Sequence, residues 1–366
     1  MRLIVDVGHP AQVHFFKNVI NELLKKGHEV KIIARKREIT YYLLDKYGFQ
    51  YTKFLQGSTF FKKGLSTVKG TLRLIKIAKR FKADMFTSTG SIQAAHASAL
   101  LAKPFIGFPD TDAKKYTAFY FLKYLSVKPY ANALCAPSSI LSKAPPIKGI
   151  RYKGNHELAY LHPNWFKPDP SILDTVGITE DEQFIIVRFA AWDASHDIGQ
   201  KVFKSNQERL MFIKELEKYG KVFVTSEIPL PGEFEKYRIS IPPEKIHDFL
   251  NYSTLYVGEG ATLASEAGVL GIPWIWLCGI ERLGYLVDQE ENYDLGYNIP
   301  SYQEALEKVK EIFTQYSNVK KEWQRKKKKF LKEKIDVTAF MIWFLENYPE
   351  SHKIMLDDPN YDTKFK

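Results

Sequence analysis

Apolar runs of strand length alternate with helical spacings of apolar side chains along nearly the whole chain, and this alternation is built twice. Arg2 to Val7 is the first apolar strand, and Gly8-His9-Pro10 turns the chain. From His14 to Lys26, Phe15, Val19, Ile20, Leu23 and Leu24 fall on one side of a helix that Gly27 ends. A strand over Val30 to Ala34, a helix over Glu38 to Tyr47 and a short strand over Tyr51 to Leu55 complete a doubly wound beginning. Its first turn lacks Gly-x-Gly-x-x-Gly, so no dinucleotide is expected there. Ser58 to Lys82 reads as a basic helix with Leu65, Val68, Leu72, Ile75 and Ile77 as its apolar positions. Met85 to Thr87 is a strand, Gln93 to Leu101 a helix, and Phe105 to Phe108 a strand delivering Pro109-Asp110-Thr111-Asp112. Ala133 to Ala136 is expected to close this sheet.

The periodicity then lapses into Ala144-Pro145-Pro146 and a Pro- and His-rich segment from Gly154 through Pro170, which reads as a linker. A second α/β unit starts at Phe184 to Val187, with Arg188 directly after the strand. Helix Gln207 to Tyr219, strand Val222 to Thr225, a helix near Pro243 to Asn251 and strand Thr254 to Val257 follow. Later helices are expected over Ile280 to Glu291 and Tyr302 to Phe313. Val319 to Lys334 is so basic that it reads as a solvated helix or exposed turn. The predicted organisation is 1–165, 166–335, an apolar closing helix at 336–348 and a loose tail at 349–366.

One stretch carries chemistry: Tyr256 to Trp276, YVGEGATLASEAGVLGIPWIW. It reads as strand, glycine turn, helix, turn, strand, with Gly258 and Gly260 freeing the turn and Gly271 and Pro273 stopping the helix. The first turn of that helix, at Ala261, Thr262 and Leu263, offers N–H groups and a positive dipole end to a phosphate. Glu266 lies four residues after Thr262, on the same face, where a carboxylate can accept from two sugar hydroxyls. The same spacing also serves plain packing, with Ala264, Ala267 and Gly268 small where a helix meets a sheet.

Composition narrows the classes. At 366 residues with 45% hydrophobic content, two cored domains are expected. Cys135 and Cys278 stand far apart in apolar strands and read as buried thiols of a reducing compartment. No signal peptide and no membrane span are read, so a cytoplasmic protein is expected. The net charge of +11 suits an anionic partner. The basic helix over Ser58 to Lys82 would suit contact with the anionic inner face of a membrane, and nucleic acid is not expected. Asp110-Thr111-Asp112 has a spacing that can hold a divalent cation, and Ser195-His196-Asp197 and His247-Asp248 are His-Asp pairs. Neither comes with a matched ligand set, and no metal is expected.

Four segments carry a resemblance: DVGHPAQVHFFKNVINELLKKGHEV at 6–30, FPDTDAKK at 108–115, YKGNHELAYLHP at 152–163 and IHDFLNYSTLYVGEGATLASEAGVLGIP at 246–273. In this order they resemble the superfamily of GT-B glycosyltransferases and UDP-N-acetylglucosamine 2-epimerases. Within it, the similarity points to a largely archaeal family defined as a domain of unknown function. The resemblance spans the chain to about residue 348 and implies two Rossmann-like doubly wound domains, with a C-terminal helix crossing back to the first. It implies a nucleoside-diphosphate sugar, a UDP-sugar in first place, as substrate, with no separate cofactor. Gly260 and Ala261 match the glycine-rich turn, and Glu266 the glutamate that holds the ribose. His14 is the nearest match to an acceptor-side histidine, and Asp110 or Asp112 to an acidic position of the epimerases. The first loop, His9-Pro10-Ala11-Gln12, is not the glycine-rich loop of the transferases, and Ser265-Glu266 stands where the epimerases pair two glutamates.

The expected chemistry is metal-independent glycosyl transfer to an unknown acceptor. Ala261 to Leu263 and Arg188 would stabilise the departing diphosphate, with His14, Asp110 or Asp112 as base. Two alternatives stay open: a nucleotide-sugar 2-epimerase or hydrolase, and a non-catalytic nucleotide-sugar binder.

Overall fold

A computed structural model describes residues 1–366 except 38, 55–59, 110–125, 141–148, 190–201, 227–230 and 279–281, and for 60–65 the backbone alone. The chain divides into two units, Met1–Trp165 with Lys334–Lys366, and Phe166–Glu333. The closing segment thus returns to the first unit.

The first unit holds a seven-stranded parallel sheet of β1 (Arg2–Val7), β2 (Glu29–Arg35), β3 (Tyr51–Phe54), β4 (Met85–Ser88), β5 (Phe105–Gly107), β6 (Ala133–Pro137) and β7 (Gly149–Tyr152). The order is β3-β2-β1-β4-β5-β6-β7. Central strands are buried on both faces, which is why Leu3, Ile4 and Val5 run consecutively apolar. The sheet does not close at β6 as expected: Gly149–Tyr152 adds a parallel edge strand. Its only core side chains are Ile150 and Tyr152, too few to stand out from the linker composition. The linker itself contains a buried helical turn, Leu158–Leu161, and Asn18 donates to the Ala159 carbonyl (2.8 Å).

Helix Phe60–Phe81 turns inward only part of the face that its apolar spacing predicts: Ile75 and Ile77 pack against the core, half-buried. Gly70, Thr71, Leu74 and Ala78 are buried, while Val68 and Leu72 face solvent. Small residues win because helix Ile92–Leu100 comes close: a Cβ at Gly70 would overlap the Gln93 side chain.

The closing helix, Val337–Glu346, is capped by Asp336, which accepts from Ala339 N (2.9 Å), the Asn164 amide (2.9 Å) and the Trp165 indole (2.7 Å). Residues 349–366 are not a loose tail. They form helix Glu350–Asp357 and a 3₁₀ turn, Tyr361–Phe365. Tyr361 stacks on Trp343 (4.9 Å), and buried Asp362 accepts from Lys153 N (2.6 Å). Aromatic burial on the closing helix outweighs the polar composition of this end.

The second unit holds a five-stranded parallel sheet, order β12-β11-β10-β8-β9, of β8 (Phe184–Phe189), β9 (Lys221–Ser226), β10 (Leu255–Gly258), β11 (Trp274–Leu277) and β12 (Gly296–Ile299). Helix Ala261–Leu270 joins β10 to β11 and ends at Gly271, whose φ of 74° suits glycine. Gly268 is small for packing: a Cβ there would overlap the Gln289 amide and meet the Trp274 indole nitrogen at 2.8 Å. Those two side chains are hydrogen-bonded to each other (2.9 Å). The helix expected from Ile280 runs from Gly284 to Tyr293, residues 279–281 lying outside the described ones. The basic run forms helix Val319–Glu333, and one of its faces is core rather than solvated: Trp323 and Phe330 are buried, and the Trp323 indole donates to Leu295 O (2.8 Å). Lys326 lies over the Trp323 ring (3.7 Å) and pairs with Asp294 (2.6 Å). Cys135 and Cys278 are buried free thiols, and burial pushes Cys135 well above the usual thiol range. Among the described residues, no helix is long and apolar enough to cross a membrane.

Two outcomes follow from this packing. Gly268→Ala should lower stability by about 1–3 kcal/mol, read as a shift in urea midpoint at unchanged slope. Burial holds the His162 imidazole below its ordinary value, with Asp336 opposing. The fold therefore favours the neutral ring, and the unfolded chain takes up the proton first. This group's penalty is absent above pH 6.5 and grows as pH falls from there toward the lower folded value. Its slope is up to about 1.4 kcal/mol per pH unit. His162→Gln should flatten the acid side of the stability profile, measured by urea denaturation at stepped pH.

Candidate functional site

In the second unit the chain goes from β8 outward to β9 and then returns to β10 on the other side of β8. Ligands of open α/β sheets sit outside the carboxyl ends of strands at such a switch point. Here those ends are Arg188 and Gly258, which are register partners. Gly258 has no room for a Cβ, which would run into the backbone nitrogen of Arg188 at 2.7 Å. At Gly260 a Cβ would meet Arg188 Cδ at 2.7 Å and Nε at 3.0 Å, so the arginine side chain lies directly over this turn. Its Nη1 also reaches toward Thr225 Oγ1 (3.4 Å).

The turn is fixed from three sides. Glu259 N donates to Arg188 O (2.9 Å), the Trp276 indole donates to Glu259 O (3.1 Å), and the Tyr256 hydroxyl donates to Gly260 O (2.9 Å). Helix Ala261–Leu270 then starts with no side-chain cap and no acidic residue in its first turn. The N–H groups of Ala261, Thr262 and Leu263 precede the first intrahelical bond, from Ala264 N to Gly260 O. Such an end, with a guanidinium beside it, is arranged to receive an anion.

Glu266 is buried about one turn further on, and Nε2 of buried His247 donates to its Oε1 (2.9 Å). His247 stands on helix Ile246–Tyr252. The neighbouring Asp248 secures that helix by accepting from Asp169 N (2.9 Å) and pairing with Lys245 (3.5 Å). The charges converge on Tyr256. Burial holds its hydroxyl far above the usual phenol value, Arg188 and the bond to Gly260 O pull it down, and Glu266 and Glu259 push it up.

In the first unit the switch point falls between β1 and β4. Asp6, at the end of β1, is buried and held in a two-pronged pair by Arg35 from β2, whose Nη2 lies 2.7 Å from Oδ2. Ser91 donates to Asp6 (2.6 Å), and Arg35 also donates to Gln93 Oε1 (2.7 Å). Gln12 accepts from Gly8 N (2.7 Å) and donates to Thr89 (2.6 Å), joining the two loops. His14 is buried one turn into helix Pro10–Lys25, sharing a hydrogen bond with the Tyr47 hydroxyl (3.1 Å) and packing on Tyr160 (5.5 Å).

Of the residues singled out by sequence, Arg188, Gly260, Ala261, Thr262, Leu263 and Glu266 all belong to the second unit, and Arg188 touches Gly260. His14 belongs to the first unit, and Asp110 and Asp112 lie outside the described residues. His196 lies outside them too. Among the described residues no group of three or more His, Cys, Asp or Glu could hold a metal ion. Sequence reasoning did not place His247 beside Glu266, nor Tyr256 and Trp276 on the turn. The signal for His247 was a histidine within the apolar pattern of a helix that directly precedes β10. The Asp6–Arg35 pair left only a lone Asp ending one strand and a lone Arg ending the next.

Solved structures share this fold. They include the S. aureus MnaA-UDP co-structure (TM-score 0.66, 12% identity, covering 96% of this chain and 97% of that one). UDP-GlcNAc 2-epimerase from Neisseria meningitidis bound to UDP-GlcNAc is similar too (0.67, 14%, 95% and 100%), as is the spinosyn rhamnosyltransferase SpnG (0.61, 13%, 95% and 100%). They define the class: two Rossmann-like α/β domains of the GT-B fold, with the C-terminal helix returning to the first domain. No curated protein sequence matches the chain. The chain belongs to the family described as "Protein of unknown function (DUF354)", matched over residues 1–348.

The His247–Glu266 bond has a measurable consequence. His247→Ala leaves a buried carboxylate short of a donor and should cost roughly 2–4 kcal/mol by urea denaturation. Adding Glu266→Gln to that variant should recover part of the loss in a double-mutant cycle.

Proposed function

We propose that the protein is a nucleotide-sugar-dependent enzyme, a glycosyltransferase that moves a sugar from a nucleoside-diphosphate sugar, a UDP-sugar in first place, to an acceptor. The observation that supports this most is the fixed, uncapped helix start at Gly260 with Arg188 laid over it. In this reading the N–H groups of Ala261, Thr262 and Leu263 bind the diphosphate, and Arg188 supplies the cation. Charge grows on the diphosphate as the glycosidic bond breaks, so donors already in place lower the barrier without reorganising. Glu266, held by His247, accepts from the ribose hydroxyls. On the acceptor side His14 and Asp110 or Asp112 are the candidate bases for the attacking hydroxyl. The reading routes no step through a metal or a separate cofactor.

A second reading is epimerisation at C2 or hydrolysis of the same substrate class. It draws on the fold shared with UDP-GlcNAc 2-epimerases, two of whose solved structures hold UDP-GlcNAc. Both readings use the same donor pocket and differ in the need for an acceptor.

Purified protein incubated with UDP-, GDP- and TDP-sugars separates them. Free nucleoside diphosphate that appears only when an acceptor is added supports transfer, and release or isomerisation without one supports the second reading. Absence of binding to every nucleotide sugar in calorimetry sinks both. Glu266→Ala should weaken nucleotide-sugar binding by about ten- to a hundred-fold, from one or two lost charge-assisted hydrogen bonds. Unchanged affinity in a folded variant removes Glu266 from the ribose role.

A further inference from the structure

The geometry points to an interaction surface on the first unit: we propose that the solvent face of helix Phe60–Phe81 docks on an anionic lipid bilayer. The helix buries Gly70, Thr71, Leu74 and Ala78 against its own unit. On its exposed side Val68 and Leu72, one turn apart, keep 59% and 61% of their surface in water. Lys69, Arg73, Lys76, Lys79 and Arg80 are exposed around them. No acidic residue occurs anywhere between Asp45 and Asp84. Lys69, Lys76, Lys79 and Arg80 make no ion pair among the described residues. Arg73 is held by its own unit, donating to Lys53 O (3.0 Å) and lying over the Phe54 ring (4.7 Å).

Unneutralised cations surrounding a pair of exposed aliphatic side chains fit one partner chemistry. A bilayer interface takes both at once, the aliphatic groups entering the boundary between headgroups and acyl chains and the cations meeting lipid phosphates. A second copy of the same face is excluded by its own charge. A nucleic acid would leave Val68 and Leu72 in water. The other basic helix, Val319–Glu333, differs: its charges are partly answered, by Glu322 on Arg325 (2.7 Å) and Asp294 on Lys326 (2.6 Å).

The test is co-sedimentation of the full chain with vesicles of phosphatidylcholine alone and of phosphatidylcholine with phosphatidylglycerol, at low and high salt. Binding is expected to the anionic vesicles, weakening with salt. Val68→Ser/Leu72→Ser and, separately, Lys69→Glu/Lys76→Glu alter only exposed side chains. Each is expected to keep the fold by circular dichroism and to lose at least about ten-fold in vesicle affinity. Lys328→Glu/Lys332→Glu on the other basic helix is the control and should bind as wild type. The proposal is overturned if wild type does not prefer anionic vesicles. It is overturned equally if the helix 60–81 variants bind unchanged, if the control loses as much as they do, or if only RNA or DNA captures the protein.

Discussion

The second unit depends on how closely β10 runs beside β8. At Gly258 the neighbouring backbone leaves no space for a Cβ, and at Gly260 the Arg188 side chain occupies that space instead. This approach sets the angle at which the chain leaves the sheet. It also puts the one nearby guanidinium singled out by sequence over the start of helix Ala261–Leu270. The Tyr256 and Trp276 donors then hold the carbonyls of Gly260 and Glu259. Those carbonyls are engaged within the protein, while the N–H groups of Ala261, Thr262 and Leu263 precede the first intrahelical bond.

Behind that start the same helix does structural work. Gly268 lets Gln289 bridge Trp274 and the carbonyl and hydroxyl of Ser265 (3.1 Å each), a buried polar network in which each amide group has a partner. One ten-residue helix therefore begins with free N–H groups beside Arg188 and packs closely against Trp274 and Gln289 near its end. Of the two readings of its small residues, sheet packing accounts for Gly268.

Much of this was legible in the sequence because the relevant signals are local. Strand ends, glycine turns and helix starts follow from runs of a few residues, and the helix expected at Ala261 or Thr262 begins at Ala261. What was not legible depends on contacts distant in the chain. His247 meets Glu266 only once helix Ile246–Tyr252 lies against helix Ala261–Leu270. Helix Phe60–Phe81 shows Val68 and Leu72 to solvent because the neighbouring helix needs Gly70, and no periodicity within one helix reports the shape of its neighbour. Strand β7 is held by pairing with β6 more than by its own four residues. The end of the chain was misread for a related reason: Tyr361 and Phe365 look isolated until Trp343 and Phe340 lie beside them.

The return of Lys334–Lys366 to the first unit makes the second an insertion within it. During synthesis the inserted unit is complete once residue 333 has emerged, while the first unit still lacks its closing helix. Until then the Asn164 amide and the Trp165 indole have no Asp336 to receive them, and helix Pro10–Lys25 has no Val337–Glu346 to cover it. The first unit is thus completed only after the unit inserted in it. A chain cut after residue 333 holds every residue of the inserted unit and lacks the helix that closes its host.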